Sequence, residues 1–221
     1  MNSRKLVGFF FKTLFLGAII CLVASFFIKS DVYLDNIKAG EWFGLVGLFA
    51  WYMVYGMLYS IISQAGFFAY LFINRFGLGL FRSFWPTVQG LLIAFVIFDL
   101  VYFPYKATEG IALYWFIAMA LAIFAYGWII AKIKAKETHA RAFMPALFLM
   151  VVMTAIEWVP GLRSEGIDIT ALMIITLLAC NTYQLLMLHR LSPPGQTQAS
   201  QKSAGNQKNP AQNQKLNPKK A

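Results

Sequence analysis

The sequence predicts an all-α, polytopic integral membrane protein with six transmembrane helices and both termini in the cytoplasm. Three observations carry that expectation. First, 59% of the 221 residues are apolar and only 13% are charged, against roughly 45–50% and about 25% in soluble proteins. Second, the mean hydropathy of +0.62 comes from long apolar stretches that recur from Leu6 to Leu188 with short polar breaks between them. At about 20 residues per crossing, about six spans consume most of the chain before its tail and leave no room for a soluble catalytic domain. Third, the charges sort by side. With spans read at 6–28, 43–63, 84–103, 110–131, 142–159 and 167–188, one side holds fifteen of the nineteen Lys and Arg, with Glu137 as its only acid. The other side keeps Lys29, Lys38, Lys106 and Arg163. Basic residues are retained in the cytoplasm, so both ends fall inside. The net charge of +10 therefore reflects topology, and no nucleic-acid partner is expected.

Each element has its own justification. The first run begins behind Arg4 and Lys5, as a secretory signal does, but it is too long for a signal core, carries Lys12 inside it and shows no small-x-small cleavage site. It is read as a retained anchor. Trp42 marks the outer edge of the second span, as interfacial aromatics do. Residues 64–83, QAGFFAYLFINRFGLGLFRS, are too apolar for an ordinary loop and too interrupted for a confident span. Two readings fit them: an interfacial helix broken at Gly77 and Gly79, or an extension of the second span ending in a tight turn. Pro86 and Pro145 suit the first turns of the third and fifth spans, whereas Pro104 and Pro160 are expected just beyond the ends of those helices. The fourth span opens with Tyr114 and Trp115, and the sixth closes the bundle. Residues 1–190 thus form a six-helix transmembrane domain. Residues 191–221, with five lysines, no acid and no aromatic, are expected to be a disordered basic cytoplasmic tail.

Ionisable groups inside spans are costly and raise a functional suspicion by default. Two qualify: Asp99 and Glu157, each at the outer end of an odd-numbered span, where the carboxylates are expected to reach water. Gln64, Gln89, Asn181 and Gln184 are expected to be interhelical hydrogen-bond partners. Cys21 and Cys180 read as small apolar residues in the hydrocarbon layer. Catalysis finds little support. His139 and His189, the only histidines, sit at the cytoplasmic edge, and no phosphate-binding glycine loop or metal-ligand spacing is present. No enzymatic activity, cofactor, metal or small-molecule substrate is expected. The cytoplasmic segment around Phe67, Phe68, Arg75, Phe76 and Arg82 is the surface best suited to a partner or to lipid, since aromatics can embed while the guanidinium groups reach phosphates.

The N-terminal MNSRKLVGFFFKTL, the segment ISQAGFFAYLFINRFGLG ending at Gly79, and FDLVYFPY from Phe98 to Tyr105 resemble the KinB-signalling pathway activation (KbaA) family of endospore-forming bacteria. The similarity covers roughly residues 1–190. It implies a multi-pass protein of the bacterial cell membrane, without enzymatic activity, that activates a membrane-bound sensor histidine kinase (KinB-type) feeding the sporulation phosphorelay. The family supplies no catalytic motif to carry over. The rival reading is a solute-binding component or small transporter, because six helices in so short a chain also suit a capture subunit.

Overall fold

Apolar runs separated by brief polar breaks can satisfy their backbone groups only within helices when little water is at hand. The computed structural model describes residues 3–107, 112–158 and 167–191, and among these no strand occurs. Eight α-helices follow in order: α1 (Ser3–Ile28), α2 (Ser30–Ala39), α3 (Trp42–Phe81), α4 (Trp85–Ala107), α5 (Leu113–Glu137), α6 (Phe143–Phe148), α7 (Thr154–Trp158) and α8 (Ile167–Leu191). A wholly buried π-helical segment, Leu149–Met153, joins α6 to α7. The helices form two groups. In one, α1, α3 and α8 pack together; in the other, α4, α5 and α6 do, with α7 and the π segment bridging to α3 and α8.

Small residues set the tightest contact. A Cβ on Gly17 would lie 2.6 Å from the Ser60 Cβ and 2.8 Å from the Gly56 carbonyl oxygen; one on Gly56 would lie 2.7 Å from the Ala18 Cα. With no side chain between them, α1 and α3 approach to backbone contact, the usual route to close helix packing in lipid. Gly17, read from sequence as a possible point of approach for other helices, is used inside this chain. The Gly44 and Gly47 pair is not used in the same way: Gly47 has open space beside it, and Gly44 faces the Asn36 side chain.

Two elements differ from the sequence expectation, and a third, α3, follows one of its two readings. Residues 30–39, read as part of an outer loop, form α2, which has Asp31 in its first turn, Lys38 in its last and Gly40 at φ 71° as its left-handed terminator. Tyr33 anchors it, sharing a hydrogen bond of 2.6 Å with Ser25 Oγ and meeting the rings of Phe26, Phe49 and Tyr52. Beyond position 63 the second span continues as one helix: α3 has 40 residues, about 60 Å at 1.5 Å each, or twice a hydrocarbon layer of about 30 Å. Gly77 and Gly79 do not break it. Gly77 is a seat for the Trp85 indole, whose atoms would lie 2.5 Å from any Cβ there. Finally, α4 runs through Pro104 to Ala107, because a missing N–H removes one helical bond without ending an otherwise apolar helix. Pro160 lies outside the described residues.

The chain reverses after α3 at Arg82, a non-glycine residue at φ 47° whose N–H bonds the Leu78 carbonyl. A short 3-10 turn, Arg82–Phe84, leads into α4. There Trp85 Nε1 donates to Asn74 Oδ1 at 2.8 Å and Gln89 Nε2 to the same oxygen at 3.4 Å, pinning the start of α4 beside the end of α3. At the opposite end, Lys29 Nζ donates to Asp168 Oδ2 at 2.5 Å and ties α1 to α8. Five helical runs are long and apolar enough to cross a membrane; one of them, Trp42–Lys106, holds both α3 and α4. Phe27, Phe43, Trp51, Phe72, Leu91 and Trp115 are among many large apolar side chains left on the exterior, a pattern consistent with membrane localisation.

Candidate functional site

Polar residues inside apolar helices must find one another or remain unsatisfied. Here they come in pairs three residues apart, a spacing that puts both members on one helix face: Ser60 and Ser63 on α3, Thr154 and Glu157 on α7, Asn181 and Gln184 on α8. All six are buried. Ser63 Oγ donates to Asn181 Oδ1 at 2.7 Å and accepts from Gln184 Nε2 at 2.7 Å. Asn181 Nδ2 donates to Thr154 Oγ1 at 2.9 Å and to Glu157 Oε2 at 2.8 Å. One turn away, Gln64 Nε2 reaches Ser60 Oγ at 3.3 Å, and that hydroxyl donates to the Thr13 carbonyl at 2.8 Å. Three helices from distant parts of the chain are thus joined through one asparagine.

Glu157 was expected at the outer rim with access to water; the structure corrects this. Its side chain is 4% exposed and hangs beside Asn181. Along α8, Asn181 is about 21 Å from the Ile167 end and about 15 Å from the Leu191 end, counted at 1.5 Å per residue. The carboxyl is therefore near mid-depth in the bundle. Nearness to the predicted end of the span did not mean nearness to water, because Glu157 and Trp158 are both buried where α7 packs against α8 and α3. The π segment contributes as well: a wider turn shifts the face on which the following side chains emerge, and Thr154 and Glu157 follow directly. On α3, Gly66 leaves the room the carboxyl occupies. A Cβ there would overlap Glu157 Oε1 and stand 2.7 Å from its Cδ. Glu157 Oε1 and Gln184 Oε1 accept no hydrogen bond.

The remaining residues singled out from sequence are dispersed. Asp99 is half-buried on α4, and no hydrogen bond or ion pair joins it to Glu157 among the described residues. Phe67 is 1% exposed and belongs to the core, its ring in tilted and edge-on contact with Phe9, Phe68 and Tyr70. Phe68, Arg75, Phe76 and Arg82 are exposed. Phe72 and Phe76, ring centroids 6.3 Å apart, lie on the same exposed face of α3. Gln64, Gln89, Asn181 and Gln184 do serve as hydrogen-bond partners, although Gln64 bonds within its own helix. Sequence reasoning missed Ser63 and Thr154, whose signal was the recurrent three-residue spacing with a second polar residue. Among the described residues, no group of three or more His, Cys, Asp or Glu is placed to hold a metal ion.

At the bundle end opposite the α3 to α4 turn, the Lys29 ammonium is held above its usual titration range, chiefly by its hydrogen bond to Asp168. This contact is partly exposed and closes the bundle end without forming a reactive constellation.

Comparison with known proteins agrees with the motifs. Residues 17–191 match the KbaA family, described as KinB-signalling pathway activation in sporulation. The KinB-signaling pathway activation protein of Bacillus subtilis (strain 168) is 40% identical over 201 residues, covering 87% of this chain and 99% of that protein. No solved structure matches. On the extent of both alignments, the chain belongs to the KinB-signalling pathway activation family.

Proposed function

We propose that this protein is a multi-pass component of the bacterial cell membrane that activates a KinB-type sensor histidine kinase by binding it, without catalysing a reaction. In this reading α1, α3, α4, α5 and α8 each cross the bilayer, the chain between α5 and α8 makes one further crossing, and both termini are cytoplasmic. The charge sorting supports that orientation, and the lengths of the apolar runs support the crossings. Family membership supplies the pathway.

The observation that carries the contact surface is the uncovered face of the second half of α3. Phe67 meets Phe9, and α1 begins six residues before Phe9 while α3 continues fourteen residues past Phe67. Since α1 and α3 run antiparallel, α3 overhangs the start of α1 by about 12 Å. Along this stretch Phe68, Phe72 and Phe76 are 45%, 72% and 63% exposed, with Arg75 beside them. Their spacing makes one apolar stripe, the pattern by which a helix docks against another helix. Phe67 drops out of the contact set because it is buried. The stripe lies where a kinase's signalling helices leave the membrane, and a regulator acts only if it binds the kinase's active and inactive states differently.

The test is genetic. Deletion in the host removes kinase-dependent phosphorelay output, except from a kinase variant that is active without its membrane region. Arg75→Glu with Arg82→Glu, and Phe72→Ala with Phe76→Ala, reduce that output at unchanged membrane abundance. Full signalling from both double variants would reject this face as the contact.

A further inference from the structure

We propose that Glu157 is a proton-binding site inside the bundle, carrying a dissociable proton on its otherwise unpartnered oxygen. Few donors reach the Glu157 carboxyl. The single Ser63 O–H is used on Asn181, and both Asn181 N–H groups are used, on Thr154 and on Glu157 Oε2. The Ser60 hydroxyl goes to the Thr13 carbonyl, and the Gln64 and Gln184 amides donate to serine hydroxyls. Yet Glu157 Oε1 and Gln184 Oε1 accept nothing. Among the described residues one hydrogen bond reaches the Glu157 carboxyl, from Asn181 to Oε2, and Oε1 receives none; a carboxylate there would have a single donor, whereas the acid form adds a donor of its own.

The surroundings favour the acid on separate grounds. An ionised carboxylate at mid-depth needs a cation or several donors, and Glu157 has one neutral amide. Titratable groups on the neighbouring elements include Tyr59 and Tyr70 on α3, Cys180 and Tyr183 on α8, Cys21 on α1, Lys134 on α5 and Asp99 on α4. Of these, Lys134 directs its ammonium to the Leu185 carbonyl at 2.7 Å, and Glu157 forms its hydrogen bond with Asn181 alone. A metal cation is the poorer occupant. Hard cations take six or more oxygens, whereas the cluster leaves two open.

The step is a simple exchange: hydronium gives its proton to Glu157 Oε1, an O–H bond forms and water is released. Because Glu157 stands where α7 meets α3 at Gly66 and α8 at Asn181, gain or loss of that proton acts on the packing of all three. The site is independent of the kinase contact and is tested without it.

Infrared spectroscopy of the purified full chain in lipid nanodiscs reads the protonation directly. At neutral pH the wild type shows a carboxylic acid carbonyl band that shifts in heavy water, disappears at alkaline pH, is absent from Glu157→Gln and persists in Asp99→Asn. If Glu157→Gln fails to fold, uniform labelling with carboxyl-13C glutamate in the wild type assigns the band to glutamate by its isotope shift. Absence of the band at neutral pH, or a band that glutamate labelling leaves in place, overturns the proposal.

Discussion

Replacing Asn181 by Leu removes the one residue through which α3, α7 and α8 are joined, while nearly conserving volume. Three hydrogen bonds are lost, to Ser63, Thr154 and Glu157. Interhelical hydrogen bonds in membrane proteins average about 0.6 kcal/mol each, so the bonds alone contribute about 2 kcal/mol. The Ser63 donor and the Glu157 acceptor are then left buried without partners, and each such group costs about 1 kcal/mol or more. The expected loss is about 3–4 kcal/mol. Reversible unfolding of the purified protein by titration with denaturing detergent, followed by tryptophan fluorescence, measures it. A cycle with Ser63→Ala separates the shared bond from the rest, with a coupling of about 0.5–1.5 kcal/mol. A loss below about 0.5 kcal/mol, within the range of ordinary surface substitutions, would refute the role of Asn181 as the junction.

Other positions make independent tests. Gly56→Leu drives a side chain into the α1 backbone and is expected to cost about 3 kcal/mol, whereas Gly47→Ala, beside open space, is neutral or stabilising by up to about 1 kcal/mol; equal effects in the same unfolding assay would contradict the close α1 and α3 contact. Arg82→Gly relieves the positive φ and is expected to raise stability by about 0.5–1 kcal/mol, visible as a higher melting temperature. Lys29 is held above its usual range, so its contribution is present below the ordinary lysine range near about 10.4 and is lost as pH rises through the folded value. Lys29→Gln should therefore cost no more than about 1 kcal/mol at neutral pH, as exposed pairs do, and should flatten the alkaline fall in melting temperature.

The long apolar helices were legible because hydrophobicity over twenty residues is a strong signal. The signals for α2 were also present, in Asp31, Lys38 and Gly40, but ten residues of mixed polarity do not declare whether a tertiary partner such as Tyr52 awaits Tyr33. Gly77 shows a different limit. Glycine weakens a helix in water, yet here it survives because Trp85 fills the space it leaves, and no local pattern reveals that pairing. The depth of Glu157 was misread for a related reason: counting residues to a predicted span end gives distance along an axis, whereas burial depends on which helices pack around that point. The polar pairs were readable in principle. Their three-residue spacing recurs on three helices, but only packing says that these faces meet.

The length of α3 has a mechanical consequence. Gly56, where α3 presses on Gly17, lies 14 residues from Trp42 and 25 from Phe81, giving arms of about 21 Å and 37 Å. A rigid rod pivoting there behaves as an unequal lever: a swing at the short end, beside α2, is magnified nearly twofold at the long end that carries the aromatic stripe. A tilt of about 5° would sweep that tip by about 3 Å, on the scale of the helix shifts that switch packed interfaces.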